Sequence, residues 1–245
     1  MRSVPLTAGL LLIAGAALAD VSHDHTRGIT AAAGDTAAFD IIHARITTEG
    51  RVATFHMAVS GKAGESRPAP TGQLAGSQVF AYVWPTTLDA ATVGFDAGAG
   101  ILAMVATAHP DFDDTPLYDE NGDGDRGNDG DLWHSHWVVL GPDDACGVGA
   151  LKAIDIPEGA TPRLPATWPG LPLLIDSPGW DPVILDETIE IAVAFDDIGA
   201  VEAAGFDGVT AGMRVNVNVH APLLCVTDVF DVASGDLSLP GRVNQ

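Results

Sequence analysis

The sequence predicts an all-β protein, a single-domain antiparallel β-sandwich with long loops, and three observations support this fold class. The 245 residues include 28 glycines and 16 prolines, which divide the chain into short segments. Within these segments apolar and polar residues alternate, as in half-buried strands, and helical apolar spacing is hard to find. Apolar residues make up 47% of the chain, a fraction that excludes disorder over its whole length.

Residues 39–60 predict a β-hairpin with its tight turn at residues 49–50. With the turn centred there, His43 faces His56 across the two strands, where Cβ atoms lie ~4.5–5.5 Å apart. Two facing imidazoles make this pair a candidate metal site. We rank it below the other histidines because Arg45 shares its face and disfavours a cation.

Two further segments predict strands that carry histidines. In residues 132–140 the alternation places His134 and His136 on the same face of the strand. In residues 213–220 the apolar residues point inwards, and His220 lies on the opposite, polar face. These three side chains are therefore available to a polar site.

The charge balance excludes several classes of partner. The chain has 33 acidic and 11 basic side chains, a formal net charge of −22. A surface this anionic repels phosphate backbones and acidic lipid head groups, so we expect no nucleic-acid binding, and cations are the natural partners. The sequence also lacks a phosphate-binding glycine loop and a nucleophile elbow, so we do not expect an enzyme.

The amino terminus has the features of a secretory signal peptide. Residues 1–19 contain a short apolar run and end in the small-residue cleavage site Ala17-Leu18-Ala19. The run is too short to span a bilayer, so we expect no membrane insertion. The mature protein is then residues 20–245, one β-sandwich domain in the periplasm, on the cell surface or in the medium.

The two cysteines, Cys146 and Cys225, predict one disulfide bond. In an oxidising compartment two thiols most simply pair with each other. The alternative is a soft metal site that uses both thiolates, but no cysteine cluster supports it.

An acidic segment matches the first half of a calcium-binding loop, so the sandwich is predicted to carry an inserted calcium loop. Asp119, Asn121 and Asp123 stand at alternate positions before a glycine, a spacing that surrounds a hard cation with oxygen ligands. The twelfth position is also a glycine, so Asp129 or Asp131 would supply the closing carboxylate. The predicted ligands are Asp119, Asn121, Asp123, Asp125 and Asp131. The alternative is a solvated acidic loop.

The segment His134-Ser135-His136 is the second candidate metal site. Histidines two residues apart on a strand are separated by ~6.6–6.8 Å and point to one side, so both imidazoles can reach one ion. Imidazole suits copper and zinc, and His220 would supply a third ligand. The alternative is a pair of histidines that are hydrogen-bonded inside the sandwich.

The acidic loop beside Trp133-His134-Ser135-His136-Trp137 resembles the MopE type of methanotroph surface copper-binding proteins. The resemblance implies copper held by two histidines and by an oxidised tryptophan, kynurenine, which a di-haem peroxidase-like partner enzyme produces, with calcium nearby. On this chain it would make His134 or His136 one ligand, His220 another, and Trp133 the oxidised tryptophan.

The sequence therefore predicts an exported protein that holds copper through histidines and a structural calcium in the acidic loop. Two alternatives stay open. The first is a calcium-stabilised binding or adhesion module without a transition metal, in which the tryptophans contact the ligand. The second is a metal-dependent hydrolase or lyase that uses a metal-bound water.

Overall fold

The computed structural model describes residues 28, 29, 34 and 36–245, and in this part the protein is almost entirely β. The predicted signal peptide lies outside the described residues. Within them no helix is long and apolar enough to cross a membrane. The strands of the described part, in chain order, are β1 (Ile41–Glu49), β2 (Val52–Val59), β3 (Gln78–Pro85), β4 (Ile101–Ala108), β5 (His134–Pro142), β6 (Leu151–Ala153), β7 (Ile175–Asp176), β8 (Val183–Leu185), β9 (Thr188–Ala194), β10 (Gly205–Phe206), β11 (Val209–Val215), β12 (Leu224–Val232) and β13 (Gly241–Arg242). The helices described are the 3-10 turns Ala90–Val93 and Asp144–Cys146 and the α-helix α1 (Ile198–Glu202).

The prediction of an all-β, antiparallel fold is confirmed, but a plain sandwich is wrong. The largest sheet has the order β4-β3-β11-β12-β6-β5-β7, and β4 also pairs with β5. This additional pairing closes six strands into a barrel. The ladder of β11 with β12 has register shifts between Thr210 and Ala211 and between Gly212 and Met213. Such bulges increase bend and twist, which closure requires.

A second sheet, of order β1-β2-β9-β8, packs against the outside of the barrel. Phe55 of β2 is the centre of this contact: its ring lies edge-on to Trp84, with ring centroids 6.2 Å apart, and to Trp137, with centroids 5.6 Å apart. All three side chains are fully buried. The molecule therefore has one core between the sheet and the barrel and a second core inside the barrel.

Inside the barrel, short aliphatic side chains leave space unfilled. Val83, Val105, Val138 and Ala211 line a cavity of about 320 Å³. Leu237, which follows β12, also lines the cavity. The cavity exists because valine and alanine occupy inward positions that larger side chains would fill.

The hairpin of β1 and β2 forms with a register two residues from the predicted one. His56 lies opposite Arg45, and His43 lies opposite Ala58 next to a bulge. The reason is the turn: Gly50, with φ of 60°, takes the first central position, as in a type II′ turn. The imidazoles of His43 and His56 are diagonal neighbours with ring centroids 5.8 Å apart.

The strand predicted for residues 213–220 ends earlier, at Val215. Asn216 is the cause, because its side-chain Oδ1 accepts from the backbone N–H of Asn218 and its carbonyl accepts from Val219 N–H. These local hydrogen bonds replace a strand ladder with a turn. His220 consequently lies exposed in this turn rather than on a strand face.

The predicted disulfide bond between Cys146 and Cys225 is confirmed. It joins the 3-10 turn after β5 to strand β12, two parts of the chain that are 79 residues apart.

Candidate metal centre

Four buried side chains converge at one end of the barrel and could hold a metal ion. Each offers one ligand atom, and these atoms all lie within 4.8 Å of one another. The four residues are His109, Asp114, His134 and His136.

The pairing of β4 with β5 brings these residues together. His134 and His136 alternate with outward-facing residues on β5, where they lie opposite Thr107 and Val105 of β4. His109 follows the last residue of β4, and its backbone N–H donates to the carbonyl of Gly130. Asp114 belongs to the long loop between the two strands. The site therefore spans the ends of two neighbouring strands and the loop that joins them.

Backbone carbonyls fix the orientation of two imidazoles. The Nδ1 atom of His109 lies 2.9 Å from the carbonyl of Phe112, and the Nδ1 atom of His134 lies 2.8 Å from the carbonyl of Leu132. A carbonyl only accepts, so Nδ1 carries the proton in both rings. In the neutral ring Nε2 then presents its lone pair to the centre of the cluster.

Ser177 fixes the third imidazole. Its hydroxyl donates to the backbone carbonyl of Asp114 over 2.7 Å, so it is left to accept from Nδ1 of His136, 3.1 Å away. The Nε2 atom of His136 therefore also presents a lone pair. Partners of this kind on the outer nitrogen are typical of metal-ligating histidines.

The three Nε2 atoms converge on one carboxylate oxygen. Oδ1 of Asp114 lies 3.1 Å from His134 Nε2 and 3.2 Å from both His109 Nε2 and His136 Nε2. Within the described residues Oδ1 forms no hydrogen bond. Lone pairs that face a buried carboxylate oxygen repel it, and a cation between them removes the repulsion.

Four of the six separations among these atoms fit tetrahedral coordination, and the other two lie within 4.8 Å. Besides the three distances to Asp114, the Nε2 atoms of His109 and His134 lie 3.0 Å apart. Four ligands at ~2.0–2.1 Å from a metal ion are ~3.3 Å from one another in a tetrahedron. The donors are thus placed almost as metal ligands are.

Asp114 is charged in this environment. Burial opposes its ionisation, but the positive charge that His136 and His109 carry when protonated outweighs burial and holds the pKa of this carboxyl well below its usual range in the absence of an ion. The cluster therefore supplies a negative charge that partly balances a divalent cation.

Thr107 competes with a metal ion for His134, because its hydroxyl lies 3.1 Å from Nε2 of His134 and can donate to the same lone pair.

The site has space for a small additional ligand. His109, Asp114 and His136 line a cavity of about 50 Å³ whose other walls are mainly aliphatic. A water molecule needs roughly 10–15 Å³ by a comparable measure, so a water-sized ligand fits beside the ion. Val138 and Met213 separate this space from the larger barrel cavity, because they line both.

The structure brings together two of the four residues that were predicted for copper, His134 and His136. His220 is exposed and lies outside the cluster. Trp133 also lies outside it: its indole N–H donates to the carbonyl of Gly64 over 2.9 Å, and its ring packs on Tyr82.

Sequence reasoning missed His109 and Asp114. One signal was present, since His109 directly follows an apolar strand and acidic residues follow it closely. The pairing of β4 with β5, which brings both residues to His134, cannot be read from the spacing of residues along the chain.

The residues predicted for calcium form a largely exposed turn. Their oxygens accept backbone N–H groups of the same loop: Asp119 Oδ2 from Gly124, Asn121 Oδ1 from Asp123, and Asp123 Oδ1 from Asp125, all over 2.7–2.8 Å. Asp131 is exposed as well, and its Oδ2 lies 3.8 Å from Nη1 of Arg67. Calcium binding by these residues stays a prediction.

A different acidic group lies beside this turn. One carboxylate oxygen from each of Asp113, Glu120 and Asp129 lies within 4.8 Å of the other two. Asp129 was the alternative closing ligand in the sequence. Burial raises the pKa of Asp129, and the neighbouring carboxylates of Asp119 and Asp113 raise it further, against a hydrogen bond from the backbone of Glu120.

Comparisons with protein-family models, with curated proteins and with solved structures give no match for this chain. The fold and the site alone define the class of protein: an all-β protein in which a buried cluster of three histidines and one aspartate could hold a metal ion.

Proposed function

We propose that this protein is an exported copper-binding protein whose ion is held by His109, Asp114, His134 and His136, with a structural calcium in the acidic loop that joins β4 to β5. The single observation that carries the proposal is the buried oxygen of Asp114, which three Nε2 atoms surround at 3.1–3.2 Å without a hydrogen bond. A bound cation satisfies all four groups at once.

Copper is the metal that affinity favours for this ligand set among divalent first-row ions, whereas the tetrahedral spacing of the donors also suits zinc. Imidazole nitrogen suits copper and zinc, and for a given nitrogen and oxygen site the affinity is highest for Cu²⁺. Thiolate ligands are excluded because the only two cysteines form the disulfide bond. Export rests on the signal-peptide pattern of residues 1–19.

The tryptophan-derived ligand and the di-haem partner that the resemblance implies are not part of this proposal. Trp133 uses its indole nitrogen to bind Gly64. An adhesion module that binds through tryptophans is less well supported, because three of the five tryptophans are buried and only Trp168 and Trp180 are half-buried. The hydrolase or lyase alternative is favoured only by the small cavity beside the cluster.

The test is a copper titration of chelator-stripped, full-length mature protein against a competing chromophoric chelator. We expect one copper per chain for the wild type, and a loss of affinity of more than about 100-fold for the double variant His134→Ala, His136→Ala. His220→Ala is the matched control, because it removes an exposed imidazole outside the cluster, and it should bind like the wild type.

Elemental analysis of protein purified without chelators complements the titration. Full copper affinity in the double variant, or loss of binding only in His220→Ala, would eliminate the proposed site. If the purified protein contains zinc instead of copper, and zinc binds more tightly in competition, the proposed ligands stand and the proposed metal is wrong.

A further inference from the structure

The acidic group formed by Asp113, Glu120 and Asp129 contains a buried carboxylate oxygen without a partner. Asp129 is fully buried, with 0% of its surface exposed. Its Oδ2 accepts from the backbone N–H of Glu120 over 3.1 Å, but its Oδ1 has no hydrogen bond within the described residues. The same holds for Oε2 of Glu120. A buried carboxylate oxygen that lacks any donor is costly unless a cation contacts it.

Backbone donors do not neutralise this group. Asp113 accepts from the N–H of Thr115 over 2.8 Å and from the N–H of Asp129 over 3.1 Å. No basic side chain in residues 36–245 forms an ion pair with Asp113, Glu120 or Asp129 in the contacts described. Three carboxylates thus lie together with their mutual repulsion uncompensated.

The chemistry of these donors selects a hard cation. All three ligands are carboxylates, which suit calcium and magnesium rather than copper. Calcium binds oxygens at ~2.3–2.6 Å, so ligands on opposite sides of one ion are up to ~5 Å apart. The separations within 4.8 Å are compatible with calcium, and carbonyls and water can complete its shell of six to eight oxygens.

Two connections, one covalent and one through hydrogen bonds, join this group to the His/Asp cluster, which consists of His109, Asp114, His134 and His136. Asp113 precedes Asp114 directly, so the position of one carboxylate restricts the other. On the other side the carbonyl of Asp129 accepts from Leu132 N–H, and the carbonyl of Leu132 accepts from Nδ1 of His134.

Gly130 adds a third connection. Its carbonyl accepts from the backbone N–H of His109. A Cβ atom at position 130 would lie 1.8 Å from the carbonyl oxygen of Phe112, so only glycine permits this close approach of the two ends of the loop. The residue therefore ties Asp129 to the start of the loop that carries Asp114.

We infer that Asp113, Glu120 and Asp129 bind one calcium ion, and that this ion positions Asp114 so that calcium and the transition metal bind with positive coupling. The calcium site stands on its own, whereas the coupling rests on the proposed function of the His/Asp cluster. Without calcium, repulsion among the three carboxylates moves the loop and carries Asp114 away from the imidazoles. By linkage, each ion tightens the binding of the other by the same factor.

The calcium site is tested by isothermal titration of the chelator-stripped full mature chain with calcium chloride. We expect one strong site in the wild type and its loss in Asp129→Asn, which keeps the shape of the side chain and removes the charge. Asp123→Asn is the matched control from the exposed turn and should retain the strong site. Retention by Asp129→Asn together with loss in Asp123→Asn would place calcium in the turn and overturn the inference.

The coupling is tested by the copper titration of the same protein with and without saturating calcium. We expect copper to bind about 10-fold more tightly with calcium, within the usual range for coupled sites, and Asp129→Asn to lose this dependence. Equal copper affinity in both conditions would overturn the coupling. A failure of copper binding itself would refute the proposed function and would leave the calcium titration as an independent result. Circular dichroism of each variant verifies that it is folded.

Discussion

Ser177 acts on two members of the metal centre at once. Its hydroxyl accepts from His136 and donates to the backbone of Asp114, so it holds a ligand from β5 and a ligand from the loop in one arrangement. Because the side chain is buried, no water can replace it without opening the site. Its role is to position ligands rather than to bind the ion.

We therefore expect Ser177→Ala to weaken copper binding by about 10- to 100-fold, the usual cost of losing such a partner. The fold should persist, since the change removes one hydroxyl. The measurement is the competitive copper titration, with Ser60→Ala as the control because Ser60 is exposed. Equal affinities of the two variants would show that Ser177 does not position His136.

Residues of the site differ in how far the sequence reveals them. The alternation of β5 places His134 and His136 on one face, and the structure has them there. His109 and Asp114 come from other segments, and only the pairing of strands brings them near. His220 illustrates the converse error: an alternating pattern suggested a strand face, but the side chain of Asn216 forms a turn.

At the scale of elements, the short strand β6 is held in the barrel by a charge network as well as by its ladder. Nζ of Lys152 lies 2.8 Å from a carboxylate oxygen of Asp143 and 2.8 Å from one of Asp155. Burial alone would lower the pKa of Lys152, but the hydrogen bonds to Asp143 and Asp155 outweigh it and raise the pKa. The same contact is the main cause that lowers the pKa of Asp143, assisted by the N–H of Ala145.

The two shifts define a pH window for this network. The lowered pKa of Asp143 stabilises the fold above the ordinary value of 3.8, and the gain is lost as the pH falls below it. The raised pKa of Lys152 stabilises the fold below 10.5, and the gain is lost as the pH rises above it.

We expect Lys152→Met to lower the free energy of unfolding at neutral pH, and the difference from the wild type to narrow at about pH 3. Urea denaturation at the two pH values measures it. Lys62→Met provides the control, because Lys62 is the other lysine of the chain and its side chain is exposed. A difference that is unchanged in acid would mean that the ion pairs of Lys152 do not stabilise β6.

For the hairpin of β1 and β2, the sequence identified the element but not its register. An error of two residues leaves each side chain on its own face, except at the bulge between Ile41 and His43, where Ile41 rather than Ile42 enters the core. The error came from the turn, where Gly50 takes the first rather than the second central position. The preference of glycine for either position leaves the two registers indistinguishable from the residues alone.

At the scale of the whole molecule, composition and alternation suffice for the all-β class but not for the closed barrel. A strand has the same alternation in an open sheet and in a barrel, and closure depends on the contact of β4 with β5. The closure also protects the edges of these strands from pairing with other chains. Because the sheet closes, the inward-facing residues of β5 lie in the same barrel interior as the two cavities.

The barrel cavity also sets how the protein responds to compression. Unfolding eliminates internal voids, so a cavity of about 320 Å³ makes the volume change of unfolding strongly negative, towards the −100 mL/mol end of the usual range of roughly −20 to −100 mL/mol. We expect Ala211→Leu, which places three further carbons in the cavity, to reduce this volume change and to raise the pressure at which the protein unfolds. Tryptophan fluorescence under hydrostatic pressure measures both quantities. Ala192→Leu makes the same change at an exposed position of β9 and is the control. An equal effect of the two substitutions would mean that the cavity does not determine the volume change of unfolding.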